Sequence, residues 1–194
     1  MAAGTATLTG TNSYSGITTI SAGVLQVGDG GTAGTLGTGA VTNNAILQVN
    51  RSDAITLANV ISGSGVLIQS GAGTTTLTGT NTYIGGTTIS SGTLQAGNGG
   101  TTGTLGTGAV TNNSVLTFNR SNAFTVANVI SGSGTLTQAG TGTTSLSANN
   151  TYAGTTTISA GTLSIGAGGT TGTLGIGAVI NNGILQINRS NAIT

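Results

Sequence analysis

The sequence predicts an all-β fold in which the chain winds as a solenoid of stacked parallel coils. Three observations carry that prediction. The chain superimposes on itself without a gap when Tyr14 is laid on Tyr83 and Tyr83 on Tyr152, and self-similarity at a fixed period is the mark of repeat architectures. Apolar and polar residues alternate with period two, as in half-buried strands. Short connections of Gly, Asn and Ser stand before the strands, and these residues turn a chain abruptly at low steric cost.

Between residues 2–70 and 71–139, 49 of 69 positions are identical, and a third copy runs from Gly140 to Thr194. The chain is therefore expected to be a single β-solenoid segment, residues 1–194, with repeats 2–70, 71–139 and a truncated 140–194. A finer period is set by leucines that follow a turn: Leu25, Leu47, Leu67, Leu94, Leu116, Leu136, Leu163 and Leu185. Their numbers advance in steps of 22, 20, 27, 22, 20, 27 and 22. They predict eight to nine coils, three unequal coils to each 69-residue repeat, with the leucines as a structural ladder. One coil cannot bury its own apolar face, whereas stacked coils enclose a shared core. Strands ~4.8 Å apart make such a rod roughly 40 Å long.

The strands follow from the alternation. In Ile46-Leu47-Gln48-Val49 the leucine and valine point one way and the glutamine the other; the later copies read Leu116-Thr117-Phe118 and Leu185-Gln186-Ile187. Leu116 is expected inside, and Thr117 outside and tolerant of charge. The turns are assigned to Asn43, Asn44, Asn112, Asn113, Asn181 and Asn182, where Asn is expected to take positive φ and to bond nearby backbone, as stacked Asn ladders do.

Composition narrows the function. Arg51, Arg120, Arg189, Asp29 and Asp53 are the only charged side chains, and there is no His, Cys, Glu, Lys, Pro or Trp. Disordered chains combine high net charge with low hydrophobicity, while this one has a net charge of +1 and is 36% hydrophobic. Without Cys there is no disulfide or thiolate metal site. No apolar run approaches the ~20 residues of a membrane-spanning helix. Met1-Ala2-Ala3-Gly4 is not a basic segment leading into an apolar one, so an export signal is expected outside this segment.

The run Leu77-Thr78-Gly79-Thr80-Asn81-Thr82-Tyr83-Ile84-Gly85-Gly86-Thr87-Thr88-Ile89-Ser90-Ser91-Gly92-Thr93-Leu94-Gln95, with its counterparts at Leu8–Gln26 and Leu146–Ser164, resembles the autotransporter-associated β-strand repeat of Gram-negative passenger domains. The resemblance covers essentially the whole chain. It implies a right-handed parallel β-helix at the bacterial cell surface, exported through a C-terminal outer-membrane barrel and often part of an adhesin. It implies as partners the flanking solenoid repeats and that barrel. It supplies no catalytic residues to carry over, and the barrel, linker and signal of the family are not in the sequence, which is expected to be an internal fragment.

Each candidate site has a plainer alternative. General acid–base chemistry needs titrating groups near the working pH, and only Asp29 and Asp53 are available; their counterparts are Asn98 and Asn122. Gly28-Asp29-Gly30-Gly31-Thr32 echoes a calcium-binding turn, but one Asp falls short of the six to eight oxygens calcium takes. Gly97-Asn98-Gly99-Gly100 lacks the lysine of a phosphate loop. Three arginines do not make a nucleic-acid surface; each is expected to cap local carbonyls or to keep the rod soluble. Tyr14, Tyr83 and Tyr152 are expected to pack over a loop. Alternating threonines at Thr5–Thr11 and Thr74–Thr80 suggest an ice-binding array, weakened by their degradation to Thr143, Ser145, Ser147 and Asn149. The expected function is that of a structural stalk or spacer in an extracellular passenger, with no catalytic residue, metal or cofactor and no nucleic-acid partner. The alternative is a glycan- or surface-binding solenoid, and the isolated fragment is expected to self-associate end to end.

Overall fold

The structure, a computed structural model, describes residues 4–192. They hold twenty-one strands of two to four residues and no helix. Every strand pairs in parallel with strands one turn before or after it, for example Leu25 with Leu47 and Leu47 with Leu67. Paired residues lie 19 to 23 apart in sequence. The parallel β-solenoid expected from sequence is thus the observed fold, with about 9 turns.

Each turn is a triangle. The first face is a seven-stranded sheet running from Thr5–Leu8 to Ile130–Ser131, and the second a seven-stranded sheet from Ile55–Leu57 to Val179–Asn181. The third combines a three-stranded sheet starting at Thr18–Ile20 with a four-stranded sheet ending at Ile184–Ile187. Two turns without a strand join them: the Thr82 N–H donates to the Ile61 carbonyl at 2.9 Å, and Asn81 Nδ2 donates to the Thr104 carbonyl at 2.7 Å.

The register corrects the expected three coils per repeat. Leu25, Leu47 and Leu67 stack on the first face, but their column continues through Thr87, Val110 and Ile130. Leu94, Leu116 and Leu136 stack on the second face, and Leu163 and Leu185 on the third. A 69-residue repeat therefore makes three turns and a third. The longest leucine spacing, from Leu67 to Leu94, is one turn plus one face, because the perimeter of a turn is fixed by its neighbours and not by the sequence repeat.

Leu47, Leu67, Leu94, Leu116, Leu136 and Leu163 are fully buried, with Leu25 and Leu185 partly so. The rule of apolar inside and polar outside fails at Gln69 and Gln138, which are buried on the inner side in register with Val49 and Phe118. A buried amide needs partners for both ends. Gln138 Nε2 donates to the Gly140 carbonyl at 2.8 Å, and its Oε1 accepts from Thr144 Oγ1 at 2.6 Å; Gln69 repeats this with Gly71 and Thr75. Thr117 also departs from expectation. It points outward but is only 8% exposed, because Gln95 and Thr137 flank it in the adjacent turns.

Tyr83 and Tyr152 are fully buried, each with its hydroxyl 2.7 Å from a threonine Oγ1, Thr87 or Thr156. The Tyr83 ring lies flush on Gly106, where an added Cβ would stand 2.5 Å from ring Cδ2. Only glycine admits that approach. Burial raises both phenol pKa values, opposed by the hydroxyl's bond to threonine.

Two outcomes follow. Leu116→Asp should destabilise the rod by more than the ~2–5 kcal/mol of truncating a core leucine, since it adds a buried unpaired charge; Thr125→Lys, at an exposed outward position, should stay within about 0.5 kcal/mol. Equal losses in circular-dichroism melts would contradict the inward–outward assignment. The second concerns alkali. Folded-state phenol pKa values above the unfolded ~10 mean stability that is complete below pH ~10 and is lost as pH rises through the folded values. In a Tyr14→Phe background, where only the two buried phenols absorb, melting temperature and phenolate absorbance should fall and rise in one transition above pH ~10, and replacing Tyr83 and Tyr152 by Phe in the native chain should remove the loss of melting temperature.

Candidate functional site: three arginine-clamped loops

Each repeat departs from the triangular path at one corner, in the segments Gly28–Gly34, Gly97–Gly103 and Gly166–Gly172. Their first and last glycines have positive φ, from 80° to 112°, which non-glycine residues seldom adopt. The following turn holds each loop by backbone bonds: Gly30 N–H to the Asn50 carbonyl and Ser52 N–H to the Gly31 carbonyl, with the same pair at Gly99/Asn119 and Gly168/Asn188.

The arginines complete the hold. Arg51 Nη1 donates to the Gly34 carbonyl at 2.6 Å and Nη2 to the Thr32 carbonyl. Arg120 bonds Gly103 and Thr101 in the same way, and Arg189 bonds Gly172 and Thr170. The planar fork of arginine suits two carbonyls at once. Behind it, Arg51 is paired with Asp53, Nε and Nη2 each 2.8 Å from a carboxylate oxygen, while Arg120 has Asn122 and the Phe124 ring, whose centroid lies 4.4 Å from the guanidinium carbon. The Arg51 hydrogen bonds hold the exposed Asp53 carboxyl below the usual carboxylate range, and burial pushes Arg120 down from its ordinary value. The loop tips Asp29, Asn98 and Ala167 are exposed and differ in every copy.

The assigned turn residues work by another route than expected. No residue other than glycine has positive φ among the described residues. Asn43 and Asn112 are fully buried; Nδ2 donates across to the Val66 or Thr135 carbonyl, and Oδ1 accepts from the N–H two residues on, Ala45 or Ser114. Nor do they stack on one another, because the next turn places Gly65 over Asn43, where a Cβ would lie 2.6 Å from Oδ1. Asn44 and Asn113 are exposed and accept from Ser64 and Ser133, and Asn181 and Asn182 are exposed in the last described turn. The threonine rows beginning at Thr5, Thr74 and Thr143 fall on three different faces and form no common array.

Sequence reasoning missed two features. Asn59 and Asn128 bridge the carbonyls of Gly37 and Gly39, or Gly106 and Gly108; their recurrence at the repeat period was the available signal. Shallow grooves also recur, one lined by Asn12, Leu36, Thr38 and Ile55, the next by Asn81, Leu105, Thr107 and Phe124. They form where two turns lack strands, which alternation alone does not reveal.

With no lysine in the chain, only the three arginines offer trypsin a site. The clamped rod should resist cleavage at Arg51 and Arg120. Arg120→Lys, which has no fork to span Thr101 and Gly103, should lose about 1–3 kcal/mol of local stability. Cleavage at position 120 should then rise roughly ten-fold or more, measured by timed digestion and mass spectrometry.

Comparison with known proteins agrees with this architecture. Residues 3–27, 67–96 and 136–165 match the family described as passenger-associated-transport-repeat. A 62-residue stretch is 44% identical to the adhesin BmaC autotransporter of Brucella suis biovar 1 (strain 1330), covering 32% of this chain and 2% of that protein. No solved structure matches. The resemblance read at residues 77–95 and its counterparts therefore holds over these three stretches: three times along its length, the chain matches the passenger-associated-transport-repeat.

Proposed function

We propose that this chain is a non-enzymatic spacer within a longer extracellular passenger, holding an adhesive part of that protein away from the bacterial surface. The observation that carries this is the direction of its strongest polar groups: all three guanidinium groups bind the chain's own loop carbonyls. Stacked turns ~4.8 Å apart convert chain length into reach, about 16 Å for each 69-residue repeat. The last described turn leaves Ile184 and Ile187 58% and 61% exposed. We take these as the seat of a flanking solenoid turn, and the outer-membrane barrel as the anchor of the full-length protein. In the isolated chain the same exposed end would favour end-to-end contact.

One observation favours the second reading, a glycan- or surface-binding module. The recurring groove puts an apolar floor, Leu105 and Phe124, beside exposed Thr80 and Thr107, a combination suited to a neutral sugar. A glycan array probed with the purified chain separates the two. The spacer predicts no binding above background, whereas a hit abolished by Phe124→Ala, with the fold intact by circular dichroism, would replace it by the binding module.

A further inference from the structure

The clamped loops do not lie above one another. The first follows Val24–Val27 and stands at the corner between the first and second faces. The next follows Thr93–Ala96, between the second and third faces, and the last follows Thr162–Ile165, between the third and the first. We infer that the 69-residue length is itself a device: by exceeding three turns by a third, it shows one arginine-locked loop on each side of the rod in succession and spreads its irregular corners evenly around the axis.

The frame and the tip of the loop divide this task. The frame is constant, with terminal glycines at positive φ and an arginine fork on two carbonyls in every copy. The tip changes from Asp29 to Asn98 to Ala167 without altering that frame. The tip is thus where the rod accepts chemical variation, and the repeat length sets the direction in which the variation faces. Had the repeat closed at three whole turns, all three loops would share one corner ~14 Å apart, too close for neighbouring globular partners. Advanced by a third of a turn, they point three ways, about 16 Å apart along the axis. The same advance keeps the longer turns from accumulating on one side of the rod. The purpose of the device rests on the spacer reading; its geometry does not.

The chain has no cysteine, so labels can be placed without background. Asp29→Cys/Asn98→Cys and Asn98→Cys/Ala167→Cys, each carrying two nitroxides, should give a spin–spin distance of roughly 25 Å, from a face about 20 Å wide and a rise of about 16 Å. A distance of about 14 Å, that of loops three turns apart on one corner, would overturn the inference. Function is read with Asp29→Cys/Asn98→Cys/Ala167→Cys carrying a small hapten and an excess of a hapten-binding single-domain antibody fragment. With a radius of gyration of about 14 Å, such fragments exclude one another from a single corner. Native mass spectrometry should show three bound per rod; saturation at one or two would overturn the display. Glycan binding by the chain would remove the spacer reading while leaving both of these results in place.

Discussion

A parallel ladder allows each turn no freedom of its own. Every strand takes its hydrogen-bond register from the turn beneath and passes it to the turn above, so the perimeter of each turn must match its neighbours closely. Corners can absorb extra chain only by looping outward, and an outward loop exposes carbonyls that need donors. The arginine fork answers that need at Gly34, Gly103 and Gly172. It is a consequence of the stacking constraint, not an addition to it.

The interior is too narrow to be filled by hydrocarbon alone. A triangular turn with strands of two to four residues presents one or two inward side chains per face, and the corners lie close to backbone. Amides suit such places because they can reach the backbone carbonyls that line the corners. Asn43, Asn59, Gln69 and their counterparts each bond backbone in this way. Every buried side-chain polar atom among the described residues has a partner, which matters because an unpaired one costs about 1–3 kcal/mol. The polar core also fixes register: Asn43 meets Val66 only when the turns are correctly aligned.

Much of this was legible in the sequence, for physical reasons that also mark where legibility ended. Alternation around Leu47 and Leu116 identifies strands and their inward side because a pleated strand repeats every two residues. The coil count per repeat was not legible. A repeat length reports how often the sequence recurs, and only the pairing of Leu67 with Thr87 reports how often the path closes. The inward glutamine at Gln138 escapes the rule of apolar inside and polar outside, since alternation places a side chain on a face but does not foresee that Thr144 satisfies an amide there. Isolation in a nearly uncharged chain left the arginines two roles, capping carbonyls or keeping the rod soluble; the choice of capping, and the identity of the carbonyls, depended on which corner the loop occupied. The grooves had no local signal, being made by three separate turns.

The narrow range of sequence separations between paired residues, 19 to 23, bears on how such a chain grows. Closing a loop costs entropy that depends on the length closed, and folding slows as contacts become more distant in sequence. Here a tenth turn closes a loop of the same size as the first, with a ready template for its hydrogen bonds. Lengthening the protein adds no step slower than those already taken, so kinetics sets no upper limit on how far a rod of this kind extends.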